Sequence, residues 1–273
     1  KVGILGKAFG FIYSFFSNEE INITMVGEDK ISPIEEQKYY IKSDIKIKEE
    51  NKEYAQVNVS DLPDLNSVSW IKDAKTDEKT KKVTSTCTIS DKNSKAVPCL
   101  YIKDKAGNET YVTSDGAIYD KEEGMPTIEI TIATPPIVEV EENDGKSKRG
   151  LFNGNVNFNI KVTDPIVNDT YSGINKVSYR IYKDGKSKGV DYISLYNKKQ
   201  EEPIMKQVFT SENLVVPSEK FNSNDVTIEV TATDNAGNTE TATKQIAIDT
   251  TSPEITVSYD NNTVANGKYF KAD

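Results

Sequence analysis

The segment Asp225-Val-Thr-Ile-Glu-Val-Thr-Ala-Thr-Asp234, continued by Asn235-Ala-Gly-Asn238, decides the fold. Val226, Ile228, Val230 and Ala232 alternate with Thr227, Glu229, Thr231 and Thr233, so one set lies on a buried face and the other faces water. That pattern belongs to an antiparallel sheet with one solvated side. The strand ends in Asp-x-Ala-Gly-Asn, where an Asx side chain closes a turn on its own backbone and Gly237 supplies a positive φ. This is hairpin punctuation, and another alternating run, Thr239 to Ile248, follows it.

The same period recurs in Val156 to Val162 and Thr127 to Ile132, and more briefly in Asn22 to Val26 and Asp44 to Lys48. No stretch carries apolar residues at i, i+3, i+4 and i+7 over several turns with helix caps. The composition is rich in Ile, Thr, Tyr and Val, residues that suit a pleated, half-buried surface. The expected class is all-β.

Internal similarity sets the domain organisation. Asp104-Lys-Ala-Gly-Asn108 returns as Asp234-Asn-Ala-Gly-Asn238, and Asn66-Ser-Val-Ser-Trp70 as Asn175-Lys-Val-Ser-Tyr179. Ile21-Asn-Ile-Thr24 returns as Ile128-Glu-Ile-Thr131, and Tyr40-Ile-Lys-Ser-Asp44 as Tyr269-Phe-Lys-Ala-Asp273. These offsets predict one unit over residues 18–125, a second over 126–253, and the first strands of an incomplete third over 254–273. Residues 1–17 form an apolar segment with two readings: a strand left from a preceding repeat, since Gly10-Phe-Ile-Tyr13 echoes Gly116-Ala-Ile-Tyr119, or an export signal.

A strand ending in Asp-x-Ala-Gly-Asn, then Ile248-Asp-Thr-Thr-Ser-Pro253, with Ser172-Gly-Ile-Asn-Lys-Val-Ser-Tyr179 upstream, resembles the bacterial Ig-like repeats of cell-surface and adhesin-type proteins. In the first unit Asp64-Leu65 stands where Gly173-Ile174 would be, so the resemblance is looser there. The resemblance implies tandem antiparallel β-sandwiches with short linkers containing Pro126 and Pro253. It also implies an extracellular, surface-attached or secreted setting.

Composition narrows the chemistry. With no histidine among 273 residues, imidazole-based nucleophile systems, histidine bases and histidine metal ligands are excluded. Two cysteines cannot build a structural zinc site, which takes four protein ligands. A net charge of −9 leaves no basic surplus for nucleic acid. The glutamate pairs, such as Glu122-Glu123 and Glu201-Glu202, are neighbours that point to opposite faces on a strand, not a facing catalytic pair. Ser43/Lys46 and Ser69/Lys72 fall on opposite strand faces. No small-molecule substrate and no catalysis are expected.

Four further expectations concern side chains. Cys87 and Cys99 flank a short loop and, in an exported module, would form a disulfide. Trp70, matched to Tyr179, reads as a core aromatic. Tyr192 and Tyr196 share a parity opposite to Ile193 and Leu195 and are the candidate exposed platform for a ligand. Asp104, Asp120, Asp234 and Asp249, at the turns and unit ends, are the candidate ligands of calcium at inter-domain linkers, a hard cation held by oxygen. No other cofactor is expected. The expected role is a non-catalytic stalk or adhesive module, its partners being neighbouring repeats and an unknown surface protein or glycan; the alternative is a carbohydrate- or protein-binding accessory of a larger secreted enzyme.

Overall fold

The computed structural model describes residues 11–43, 56–57, 69–141, 148–198 and 205–257. The strands foreseen at Asp44 to Lys48 and the proposed repeat residues 258–273 lie outside these, as do Ala8 to Gly10 and Asn66 to Val68. The strands are β1 (Phe11–Ser17), β2 (Ile21–Gly27), β3 (Ile34–Lys42), β4 (Gln56–Val57), β5 (Lys75–Thr76), β6 (Val83–Ile89), β7 (Ser94–Asp104), β8 (Glu109–Thr113) and β9 (Gly116–Tyr119). After a 3₁₀ turn at Glu122–Gly124 come β10 (Thr127–Ile132), β11 (Val138–Glu141), β12 (Lys148–Phe152), β13 (Val156–Thr163) and β14 (Ile174–Lys183). The chain closes with β15 (Ile193–Asn197), β16 (Val208–Val216), β17 (Ser223–Asp234) and β18 (Thr239–Ile248). Among the described residues no helix is long and apolar enough to cross a membrane.

The described strands form four sheets that divide with the chain. The first half supplies β3-β7-β9-β1-β4, with β8 also paired to β7, and β2-β6-β5. The second half supplies β10-β13-β16 and β11-β12-β18-β17-β14-β15. Strand β17 bears out the alternation read in the sequence: Val226, Ile228, Val230 and Ala232 are fully buried and share one core with Phe158 and Ile160 of the other sheet and with Val177 and Ile246 of the neighbouring strands β14 and β18. Each fully buried Val or Ile contributes on the order of 1.5–3 kcal/mol. Its opposite face is drier than alternation alone implies, because Thr227 and Glu229 are also buried.

The two halves repeat one pairing scheme. Tyr39 on β3 lies opposite Leu100, as Tyr179 on β14 lies opposite Val230. Strand β1 runs parallel to β9, as β12 runs parallel to β18. Thus Phe11–Ser17 pairs inside the first set of sheets, and the echo between Gly10-Phe-Ile-Tyr13 and Gly116-Ala-Ile-Tyr119 joins sheet neighbours: Tyr13 sits opposite Gly116.

The register also moves Trp70. Tyr39, not Trp70, takes the place of Tyr179 and reaches the carbonyl of Thr86 on the facing sheet at 3.4 Å. Trp70 is half-buried on the other side of β7, its ring 6.0 Å from Tyr101 and 6.4 Å from Tyr111, with the Lys38 ammonium 5.3 Å from its centroid. The expectation of a core tryptophan is therefore corrected: it belongs to an aromatic cluster on the outer face.

Candidate functional site: the junction between the two halves

The two halves meet through a small core of their own. Tyr13, Val97 and Ile118 from the first half pack with Tyr171 and Met205 from the second, and Phe16 covers the edge. The Lys95 ammonium donates to the carbonyl of Asp169, and the Lys198 ammonium lies 5.5 Å from the centre of the Phe16 ring. Polar and apolar contacts thus cross the same boundary.

At its centre stands Asp120, the residue just after β9. Its own N–H donates to the carbonyl of Ser17 at 2.9 Å, which fixes it to β1. From the second half, the Ser172 N–H donates to Asp120 Oδ2 at 2.9 Å and the Asn238 amide donates to its carbonyl at 2.9 Å. Asn238 is placed by the Asp-x-Ala-Gly-Asn turn: its N–H donates to Asp234 Oδ1 and its side-chain amide to Asp234 Oδ2, both at 2.8 Å. Gly237 makes the turn at φ +94°, where a side chain is strained.

Asp164, just past β13, completes the group. Gly173 N–H and Ser172 Oγ–H donate to its Oδ2, while Oδ1 has no hydrogen-bond partner. Oxygens of Asp120, Asp164 and Asp234 lie within 4.8 Å of one another, and the three residues are 1 %, 0 % and 0 % exposed. Burial pushes the Asp164 carboxyl up to about 8, reinforced by the charges of Asp120 and Asp234 and opposed by the Gly173 and Ser172 hydrogen bonds. Burial raises Asp234 to about 6, against the Asn238 hydrogen bonds. It raises Asp120 as well, against the Ser172 bonds.

Of the four aspartates read as linker ligands, the structure brings together Asp120 and Asp234. Asp104 forms the matching turn of the first half, bonding Asn108 N–H and its side-chain amide at 2.8 Å each. Asp249 takes the position of Asp120 in the second half: its N–H donates to Phe152 O at 2.9 Å, and its exposed carboxylate accepts from Thr251 N–H. Asp164 was missed in the sequence because it lies beyond the alternating strand. The available signal was the Ser172-Gly173 step, whose donors cap it.

The remaining candidates separate. Cys87 on β6 and Cys99 on β7 are free thiols on different sheets, so the expected disulfide is absent from the structure. Cys99 is buried on the outer face, where the Thr113 hydroxyl lies 3.7 Å from its sulfur. Tyr192 and Tyr196 do not share a face, because the register slips between Val177 and Ser178: Tyr196 falls opposite Val177 and packs on Phe209 at 5.7 Å. Tyr192 is 42 % exposed, and its hydroxyl donates to Glu229. Beside it the Arg180 guanidinium binds Glu229 at 2.8 Å and lies 4.6 Å from the Tyr192 ring centre. Tyr192 is therefore the lid of a polar cluster on the sheet.

This architecture, strands arranged in Ig-like sheets, defines an all-β module class. Residues 145–250 match the family model of the bacterial Ig-like domain. No curated protein matches the sequence. Among solved structures, the fibronectin(III)-like modules of Clostridium thermocellum CbhA are similar at 11 % identity, covering 93 % of this chain and 98 % of that one, TM-score 0.30. The chicken CNTN1 FN1-FN3 domains are 15 % identical, covering 88 % of this chain and 66 % of that one, TM-score 0.26. A 1.5-MDa bacterial ice-binding adhesin is 12 % identical over 85 % of this chain and 59 % of that one, TM-score 0.32.

Proposed function

We propose that the chain is a non-catalytic spacer of a bacterial surface or secreted protein, two Ig-like modules in tandem whose joint is fixed. The single observation that supports this best is the grip on Asp120: one residue of the first half accepts from Ser172 and Asn238 of the second, over a shared apolar core. A flexible tether needs neither a buried joint nor matched donors across it, since interfaces between independent domains are small and polar. Sandwiches joined this way extend a surface protein outward and carry their end loops as contact points. The lack of histidine and the acidic surplus agree with a role in spacing, not chemistry.

Small-angle scattering of the chain in solution tests this reading. A single arrangement of the pair with one inter-module distance supports it. A distribution of distances that stays broad with and without a divalent cation overturns it.

One observation favours a second reading, a glycan-binding face. Trp70, Tyr101 and Tyr111 cluster on the outer side of β7 and β8, with ring centroids 4.8 Å to 6.4 Å apart. Saturable glycan binding that Trp70→Ala abolishes would establish it.

A further inference from the structure

We propose that Asp120, Asp164 and Asp234 form a calcium site that joins the two halves. Three carboxylates converge, one from the first half and two from the second, all essentially without solvent. Unpaired buried charges are costly, and carboxylates gathered in this way need protons or a cation.

An independent feature points to the ligand. Asp164 Oδ1 is buried with no hydrogen-bond partner, while Oδ2 of the same carboxylate is held by Gly173 and Ser172. One oxygen is thus used to orient the group and the other is left to coordinate. The donor set is all oxygen, which selects a hard cation over zinc or copper. Oxygens spread over as much as 4.8 Å suit an ion that holds its ligands at about 2.4 Å, the calcium distance; magnesium draws them to about 2.1 Å and gives up its water reluctantly. The site would tie the end of β9 to the end of β13 and to the β17–β18 turn, since Asp120 and Asp164 directly follow the first two strands and Asp234 is the last residue of β17.

This inference rests on the fixed-joint reading, and the test separates the two. The full chain, stripped with EDTA, is titrated with calcium chloride and separately with magnesium chloride by calorimetry, and its melting is followed in each. The expected result is one calcium per chain, with Kd on the order of 10⁻⁴ M as in other extracellular modules, and a higher Tm in calcium. Asp164→Asn and Asp120→Asn weaken binding by at least roughly 10-fold. Asp104→Asn, which alters the equivalent turn outside the cluster, leaves it unchanged. Circular dichroism and calcium-free melting establish that each variant folds; Asp120→Asn serves where Asp164→Asn does not. Absence of saturable calcium binding up to about 10 mM, a hundred times the expected Kd, overturns the site. So does wild-type binding by the folded aspartate variants, or an equal loss in Asp104→Asn. Scattering of the calcium-free chain reads the joint alone: one fixed arrangement without calcium binding overturns the cation and keeps the joint, whereas a broad distribution that narrows on adding calcium supports the site and shows the joint to need it.

Discussion

Asn238 donates one side-chain N–H to the Asp120 carbonyl at 2.9 Å and another to Asp234 at 2.8 Å, so one amide closes a hairpin and grips the other half of the molecule. Its counterpart Asn108 makes the same turn with Asp104 and is exposed. Asn238→Ala should therefore cost more than Asn108→Ala, about 2–3 kcal/mol against about 1 kcal/mol, because beyond the turn bond that both lose it also orphans the buried carbonyl of Asp120. Urea melts of the two variants give the comparison. Equal losses would show that the bond to Asp120 contributes nothing.

Gly173 carries the second prediction. Its φ is +89°, and a β-carbon there would lie 2.6 Å from the backbone Cα of Met205, a contact that flexible side-chain motion cannot relieve. Its N–H also holds Asp164. Gly173→Ala should destabilise the chain by more than about 2 kcal/mol, combining backbone strain with a clash. Gly154, which has open space where a β-carbon would stand, is the control; alanine there should shift the melt little. A Gly173→Ala melt like that of wild type would refute this account of the Ser-Gly-Ile step.

Met205→Ala tests the shared core. Met205 is fully buried between Tyr13, Val97 and Ile118 of the first half and Tyr171 of its own. Truncation should cost about 2–5 kcal/mol. Because the lost contacts lie across the boundary, the scattering of Met205→Ala should broaden while its sheets remain intact by circular dichroism. Loss of β signal without broadening would place the methionine's weight within one half instead.

Much of this was legible in the sequence, for reasons that particular residues make clear. Alternation at Val226 to Ala232 identified the buried face of β17 because side chains on a strand have a strict period. The Asp-x-Ala-Gly-Asn turn was legible for the same local reason: Asp234, Gly237 and Asn238 are within five residues. Parity failed at Tyr196, where the slip between Val177 and Ser178 reverses the face, since a bulge leaves no local pattern. It failed at Trp70 because Tyr39, on a strand that the alternation did not identify, occupies the core position. Asp164 stayed hidden because its partners, Asp120 and Asp234, are distant in the chain and meet only once both halves are folded.

The thiols give a fourth expectation. Burial pushes both Cys87 and Cys99 above the ordinary thiol range, and the Asp73 charge adds to the effect at Cys87. Such thiols are mostly protonated and slow to react near about pH 7.5. Iodoacetamide should modify them slowly in the folded chain and rapidly after unfolding, and reductant should leave Tm unchanged. A mass lower by two hydrogens, with a Tm that falls on reduction, would establish a bridge between them.

Glu229 provides the pH dependence. Burial alone would raise its carboxyl, but hydrogen bonds from Tyr192, Arg180 and Tyr182 together with the Arg180 charge outweigh it, and the group sits below its ordinary 4.5. A carboxylate depressed by folding stabilises the native state above the unfolded pKa, and that contribution is lost as pH falls through the folded one. In Glu229→Gln the Arg180 guanidinium loses its ionic partner, with side-chain exposures of 20 % and 11 % leaving little water to replace it. The variant should be less stable by about 1.5–3 kcal/mol at neutral pH. The gap between wild type and variant should hold from neutral pH down to about 4.5, the unfolded value, and close below it as Glu229 takes up its proton in the folded chain. Taking the difference between the two proteins cancels the carboxyls they share, including the buried aspartates. Urea melts at a series of pH values measure it. A gap that stays constant to the acid end would mean that charge on Glu229 does not hold Arg180 and the two tyrosines over the sheet.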